Sequence, residues 1–156
     1  MPVEWLSEEK CKKMLPAQTY GRLATVGKDG KPYITPVNYV YFNESIYFHT
    51  GFKGRKLDNI AASSSVCFEI SAPGNLYISE RACGFAMRFW CILVEGKAES
   101  ITSPEEKADV LDALMKKYAA RFEYSDPTAE ELTRVNIIKI NIESISGKLS
   151  LDPQPE

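Results

Sequence analysis

The stretch Tyr47-Phe48-His49-Thr50-Gly51-Phe52-Lys53-Gly54-Arg55-Lys56-Leu57-Asp58-Asn59-Ile60 decides how this chain is read. A short apolar strand runs into a turn with two glycines and three cations. The turn opens an amphipathic helix with Leu57, Ile60 and Ala61 on one face. The sequence's only histidine, His49, stands at the end of the strand. Glycine lets backbone approach a ligand closely, and the first turn of a helix offers N–H groups without intrahelical partners. Lys53, Arg55 and Lys56 add positive charge. The pattern is a grip for a small phosphorylated ligand, set against the commoner reading of a solvated basic corner.

The flanking sequence alternates as strands do. Tyr20 to Lys28 is centred on Leu23, Ala24, Thr25 and Val26, and Asp29-Gly30 is a hairpin signal. Pro32 to Phe42, rich in Tyr, Val, Ile and Thr, is the expected partner. Asn43-Glu44-Ser45 then turns the chain into Ile46 to Thr50, and the three strands are expected to form a meander. Beyond the helix, Ser65 to Ser71 alternates Val66, Phe68 and Ile70 against Cys67 and Glu69. Residues 72–84 lack periodicity and read as a loop. Phe85 to Ile101 is a long strand with a bulge expected near Gly96. Val135 to Ile145 is the last strand.

Helix signals fill the gaps. Ser7 caps a short helix to Met14, with Pro16 beyond it. Ser103-Pro104-Glu105-Glu106 starts another, with Val110, Leu111, Leu114, Met115 and Tyr118 as its apolar stripe. The polar connection 123–134 carries a helical turn at 128–133, and a tail is expected over 149–156. Six strands with inserted helices predict a mainly β fold, a six-stranded antiparallel barrel in one domain spanning residues 1–156.

Composition narrows the function. Hydrophobic content of 44% and charged content of 26% suit a globular chain, and the net charge of −2 lacks the basic excess of a general nucleic-acid binder. No apolar run reaches bilayer length, and the N-terminal residues lack a signal pattern, so a cytoplasmic protein without membrane contact is expected. Cys11, Cys67, Cys83 and Cys91 form no Cys-x-x-Cys pair, which argues against a zinc ribbon or a dithiol redox motif. Of the four, Cys83 in its loop is the one to watch for reactivity. One histidine cannot build a multi-histidine metal site, and a Ser-His-Asp or Cys-His system would have to use His49. Gly-x-Ser-x-Gly, Walker A and Gly-x-Gly-x-x-Gly motifs are absent.

The order of motifs resembles the flavin-binding split-barrel superfamily, the pyridoxamine 5′-phosphate oxidase-like fold. The stretches are Gly21-Arg22-Leu23-Ala24-Thr25, Asp29-Gly30-Lys31-Pro32-Tyr33, Pro36-Val37-Asn38, Tyr47-Phe48-His49-Thr50 and Gly54-Arg55-Lys56-Leu57. Val66-Cys67-Phe68-Glu69, Arg88-Phe89-Trp90-Cys91-Ile92 with Gly96-Lys97-Ala98, and Ile142 to Lys148 follow. Within the superfamily the chain most resembles the nitroimidazole-resistance (Nim-type) flavoproteins. The resemblance implies a homodimer with FMN, or alternatively FAD, at the subunit interface. Arg22, Leu23, Ala24 and Thr25, then Pro36, Val37 and Asn38, then Phe48, His49 and Thr50 would line the ring and ribityl chain. Lys53, Gly54, Arg55 and Lys56 would hold the phosphate, and Arg88 and Trp90 would come from the partner's wall.

Each of these residues also has a plainer role: Leu23, Val37, Phe48 and Trp90 as packing, Arg22 as a partner of a surface carboxylate, His49 as a barrel histidine. Asn38, read as mid-strand, is harder to dismiss, since a buried amide needs a partner. The implied activity is transfer of electrons from a reduced nicotinamide to a nitro compound or quinone, with His49 as candidate proton donor. Alternatives are a flavin-binding sensor or storage protein without turnover, and a haem protein with His49 as axial ligand. The Arg and His constellation of true pyridoxamine phosphate oxidases is missing from Ser-Leu-Asp-Pro-Gln-Pro-Glu at the C-terminus, so vitamin B6 oxidation is not expected.

Overall fold

A computed structural model describes residues 2–150. Eight strands make one antiparallel sheet: β1 (Val3–Leu6), β2 (Gly21–Val26), β3 (Pro32–Val37), β4 (Val40–Phe42), β5 (Ser45–Thr50), β6 (Ser65–Tyr77), β7 (Ala86–Ser100) and β8 (Asn136–Ser150). Four α-helices accompany them: α1 (Glu8–Met14), α2 (Arg55–Ala62), α3 (Pro104–Tyr118) and α4 (Ala129–Thr133). Ser7, Ser103 and Thr128 cap α1, α3 and α4 with their hydroxyls.

The sheet runs β3-β2-β6-β7-β8-β5-β4, with β1 on β8. Its two edges, β3 and β4, are consecutive in sequence and joined by Asn38 and Tyr39 alone. Three peptide steps reach about 10 Å, so the sheet must curl until its edges meet. The result is a split β-barrel, with the split where Asn38 stands. The interior is filled by Leu23, Tyr39, Ile46, Phe48, Phe68, Ile70, Ile92, Val94, Ile138 and Ile140. The Tyr39 ring meets that of Phe68 edge-on at 4.9 Å. A second cluster lies outside, where α3 lays Val110 and Leu114 on Val40, Tyr47 and Ile137.

The expected barrel, helices and turns are present, with corrections to the strands. Among the described residues there are eight strands, not six. β1 is only four residues long, three of them exposed, too short for a periodic signal. The single strand expected over Pro32 to Phe42 is two, and the expected meander does not form, because the break at Asn38-Tyr39 sends β3 and β4 to opposite ends of the sheet. Residues 72–77 are strand, paired with β7 across a register shift between Pro73 and Leu76. β8 continues to Ser150 because β1 and β7 both pair with it there, which claims Leu149 and Ser150 from the expected tail. The rest of that tail, 151–156, lies outside the described residues.

The bulge at Gly96 is real: the β7–β8 register shifts between Glu95 and Gly96, and a Cβ there would stand 2.1 Å from the Asn141 carbonyl oxygen. Asn43 and Glu44 both have positive φ, which makes the β4–β5 hairpin tight.

Candidate functional site

The split opens a cleft of about 350 Å³ lined by Pro36, Val37, Asn38, His49, Thr50, Gly51 and Lys56. Three elements build it: the end of β3, the end of β5, and the start of α2. The β5 residues explain themselves by parity. Ile46 and Phe48 point into the barrel, and Tyr47 points out under α3. His49 shares Tyr47's parity but is exposed at the strand's end. It is therefore not a core histidine.

The turn after β5 is held from two sides. Asn136 donates its side-chain amide to the Gly51 carbonyl at 3.1 Å. Asn59, in α2, donates to the Thr25 hydroxyl at 2.9 Å, and both residues are buried. Gly54, at φ +131, precedes α2, a conformation that disfavours any side chain. It offers no side-chain cap, and its carbonyl takes the Leu57 and Asp58 N–H groups. The N–H groups of Arg55 and Lys56 remain at the open end of the helix, where the dipole favours an anion. The Arg55 guanidinium lies 4.6 Å over the Tyr33 ring. Among the described residues no carboxylate pairs with Lys53, Arg55 or Lys56. The donor set thus fits a phosphate group: backbone N–H groups, a glycine and cations without anionic partners.

Of the other expected site residues, Asn38 lines the cleft and the rest fall elsewhere. Leu23 and Phe48 are fully buried in the barrel and offer no accessible surface to a ligand within one chain. Thr25 is buried and engaged with Asn59. Arg22 and Ala24 lie on the outer face of β2, where Arg22 pairs with Glu69 at 2.7 Å and so contributes little net charge. Asn38 is exposed, not buried mid-strand, and its amide donates to the Thr19 carbonyl at 2.9 Å. Arg88 lines a groove with Asn75, Leu76 and Tyr77. Trp90 packs half-buried against the barrel core. The structure does not bring these last two to the cleft of their own chain.

Sequence reading missed Gly51 in the cleft, Tyr33 under Arg55, and Asn59. Signals existed for two of them: Gly51 is one of the turn's two glycines, and Asn59 is an amide between Leu57 and Ile60, on the side of a helix that should pack. Burial pushes the thiols of Cys11 and Cys67 up, which favours their protonated form, while Cys83 is exposed. No group of three or more His, Cys, Asp or Glu residues is arranged to hold a metal among the described residues. Nor is any described helix long and apolar enough to cross a membrane.

The family model described as pyridoxamine 5′-phosphate oxidase matches residues 7–149. The chain belongs to that family. None of the curated proteins matches this family member. Among solved structures it is similar to a candidate 5-nitroimidazole antibiotic resistance protein from Bacteroides thetaiotaomicron VPI-5482. The identity is 23%, over 96% of this chain and 89% of that one, with a TM-score of 0.80. It is similar to an FAD and haem binding protein from Mycobacterium smegmatis at 19% identity, over 100% and 77% of the two chains, with a TM-score of 0.85. An FAD-binding protein from Mesorhizobium loti is 26% identical over 97% and 100%, with a TM-score of 0.71. This oxidase-family chain shares with all three the split barrel that creates the cleft.

Proposed function

We propose that this chain is a cytoplasmic flavin-binding oxidoreductase, a homodimer that takes FMN in the split-barrel cleft and reduces nitro compounds or quinones with electrons from a reduced nicotinamide. The observation that carries the reading is the start of α2: open N–H groups, a glycine at φ +131 and cations without carboxylate partners, at the mouth of a cleft. Family membership and the named ligands of two relatives support it. The bound flavin would supply the redox chemistry, moving electrons between a donor and an acceptor.

The chain's own residues bind and orient. Arg55 and Lys56 hold the phosphate through backbone and side chain, with Lys53 adding charge. Asn38 and Thr50 offer polar atoms along the cleft. His49 presents an exposed imidazole that can pass a proton to a reduced acceptor. The outer face of β2, with Arg22 and Ala24, and the partner's β7, with Arg88 and Trp90, close the ring side. Nucleic acid and membrane have no part in this reading.

A visible spectrum of the purified protein tests it first. Flavin absorption is expected, and a haem Soret band with no flavin would turn the reading to His49 as an axial ligand. Stopped-flow reduction by NADPH then separates an oxidoreductase from a flavin store. A flavin that donors and acceptors leave unchanged would remove the enzymatic half of the proposal.

A further inference from the structure

The hydroxyl of Tyr118, at the C-terminal end of α3, ties together the chain around the β3–β4 crossing. It accepts the Tyr39 N–H at 2.9 Å. Two carbonyls stand within reach of its proton, Thr19 at 2.6 Å and Tyr39 at 2.9 Å. A phenol has one proton to give. Lys117 decides between them. Its Nζ donates to the Tyr39 carbonyl at 2.9 Å and lies 3.6 Å from the centre of the Tyr39 ring. That carbonyl thus already has a charged donor, whereas the Thr19 carbonyl has only the neutral Asn38 amide and stands nearer the phenol, so the Tyr118 proton turns to Thr19.

The Thr19 carbonyl also accepts the Asn38 amide at 2.9 Å. A carbonyl oxygen can only accept, so the NH₂ side of Asn38 must face Thr19. Its Oδ1 is left as the free end, and Asn38 lines the cleft. Neither Tyr118 nor Lys117 lines it. Whatever they do to a ligand must pass through Asn38 and the crossing.

We propose that Tyr118 and Lys117 are positioning residues for the cleft, orienting Asn38 from α3 so that its side-chain oxygen meets the ligand as an acceptor. The proposal rests on the reading of the cleft as the flavin site. It makes α3, which packs outside the barrel, part of the ligand-binding machinery.

The test is a double-mutant cycle on the full chain, with FMN as the probe. Tyr118→Phe and Asn38→Ala are each expected to weaken FMN binding roughly three- to tenfold, the scale of one neutral hydrogen bond. The double variant should bind as Asn38→Ala does, because Tyr118 acts through Asn38. Losses that multiply in full would overturn the proposal.

A second readout needs no flavin: the side-chain amide resonances of Asn38, assigned by their loss in Asn38→Ala. They should shift in Tyr118→Phe, and unchanged resonances with unchanged FMN affinity would overturn the positioning role. Shifted resonances in a protein that binds no FMN would support the positioning role while sinking the flavin reading. If Tyr118→Phe fails to fold, Lys117→Met carries the same cycle, with a smaller expected loss, since it frees the Tyr39 carbonyl to compete for the phenol proton.

Discussion

The side-chain amide of Asn59 donates to the Thr25 hydroxyl across 2.9 Å, and this bond ties the basic turn's helix to the barrel wall. Asn59 is 5% exposed and Thr25 1%, so water cannot replace either partner. Thr25→Val should leave the amide short of an acceptor, at a cost of about 1–3 kcal/mol. For a domain of this size each kcal/mol lowers the melting temperature by about 2–4 °C. Thr25→Val with Asn59→Leu should recover much of the loss, because removing both polar partners strands neither. Calorimetry of the single and double variants checks both statements, and an unshifted single variant would show that the bond does not hold α2.

Arg55 and Lys56 carry the phosphate grip in the proposed function. Charge-assisted hydrogen bonds contribute roughly 1.5–3 kcal/mol each. Replacing both residues with alanine should therefore weaken FMN binding by more than tenfold. Arg55 is exposed and Lys56 half-buried in α2's first turn, both outside the core, so the fold should survive the change. Isothermal titration showing wild-type affinity in the double variant would move the phosphate elsewhere.

His49 lines the cleft and is exposed, so its loss should leave the melting temperature nearly unchanged. If the imidazole passes a proton to a reduced acceptor, His49→Ala should slow turnover on a nitroaromatic by roughly 10²-fold while keeping the flavin. Turnover per bound flavin equal to wild type would take His49 out of the mechanism.

Local signals explain what the sequence disclosed and what it withheld. The turn at Asp29-Gly30, the bulge at Gly96 and the caps Ser7 and Ser103 depend on neighbours in sequence, and all could be read there. The cations of the basic turn were legible for the same reason. The break at Asn38-Tyr39 was not. Its flanks are both strand-like, and only the curl of the whole sheet separates β3 from β4. Asn38 consequently looked like a mid-strand amide when it stands at the split itself. The clamp of Tyr118 on Thr19 joins residues 99 apart, and no pattern along the chain announces such a bond.

Lys117 predicts a pH dependence. Burial pushes its ammonium down to about 8 from an ordinary 10.5, against the pull of the Tyr39 carbonyl and ring. Between those values the unfolded chain holds a proton that the folded one has released, so this group's contribution to stability rises with pH. The thiols of buried Cys11 and half-buried Cys67, raised above 9.0, act in the opposite sense, as do the raised hydroxyls of Tyr39 and Tyr118 above pH 10. The difference between wild type and Lys117→Met cancels those groups. Urea midpoints from pH 7 to 9.5 should show wild type gaining on the variant as pH rises. A constant difference would mean that Lys117 titrates normally.

The β6–β7 arm supplies the test of the homodimer. Leu76, Tyr77, Ile78, Phe85 and Met87 are all exposed on it, next to the Arg88 that the proposal places against a partner's flavin. Five large apolar side chains at one end of one hairpin form the kind of surface that association covers, and two-fold pairing is the commonest form it takes. Phe85→Asp with Met87→Asp should put buried charge into that interface and give a monomer by light scattering at micromolar concentration. The barrel core lies elsewhere, so the variant's far-ultraviolet spectrum should stay that of wild type. Its flavin affinity should fall along with dimerisation, since the ring side of the site would be open to water. A wild-type protein that stays monomeric with flavin fully bound would sink the shared site and leave the phosphate grip of α2 to hold the cofactor within one chain.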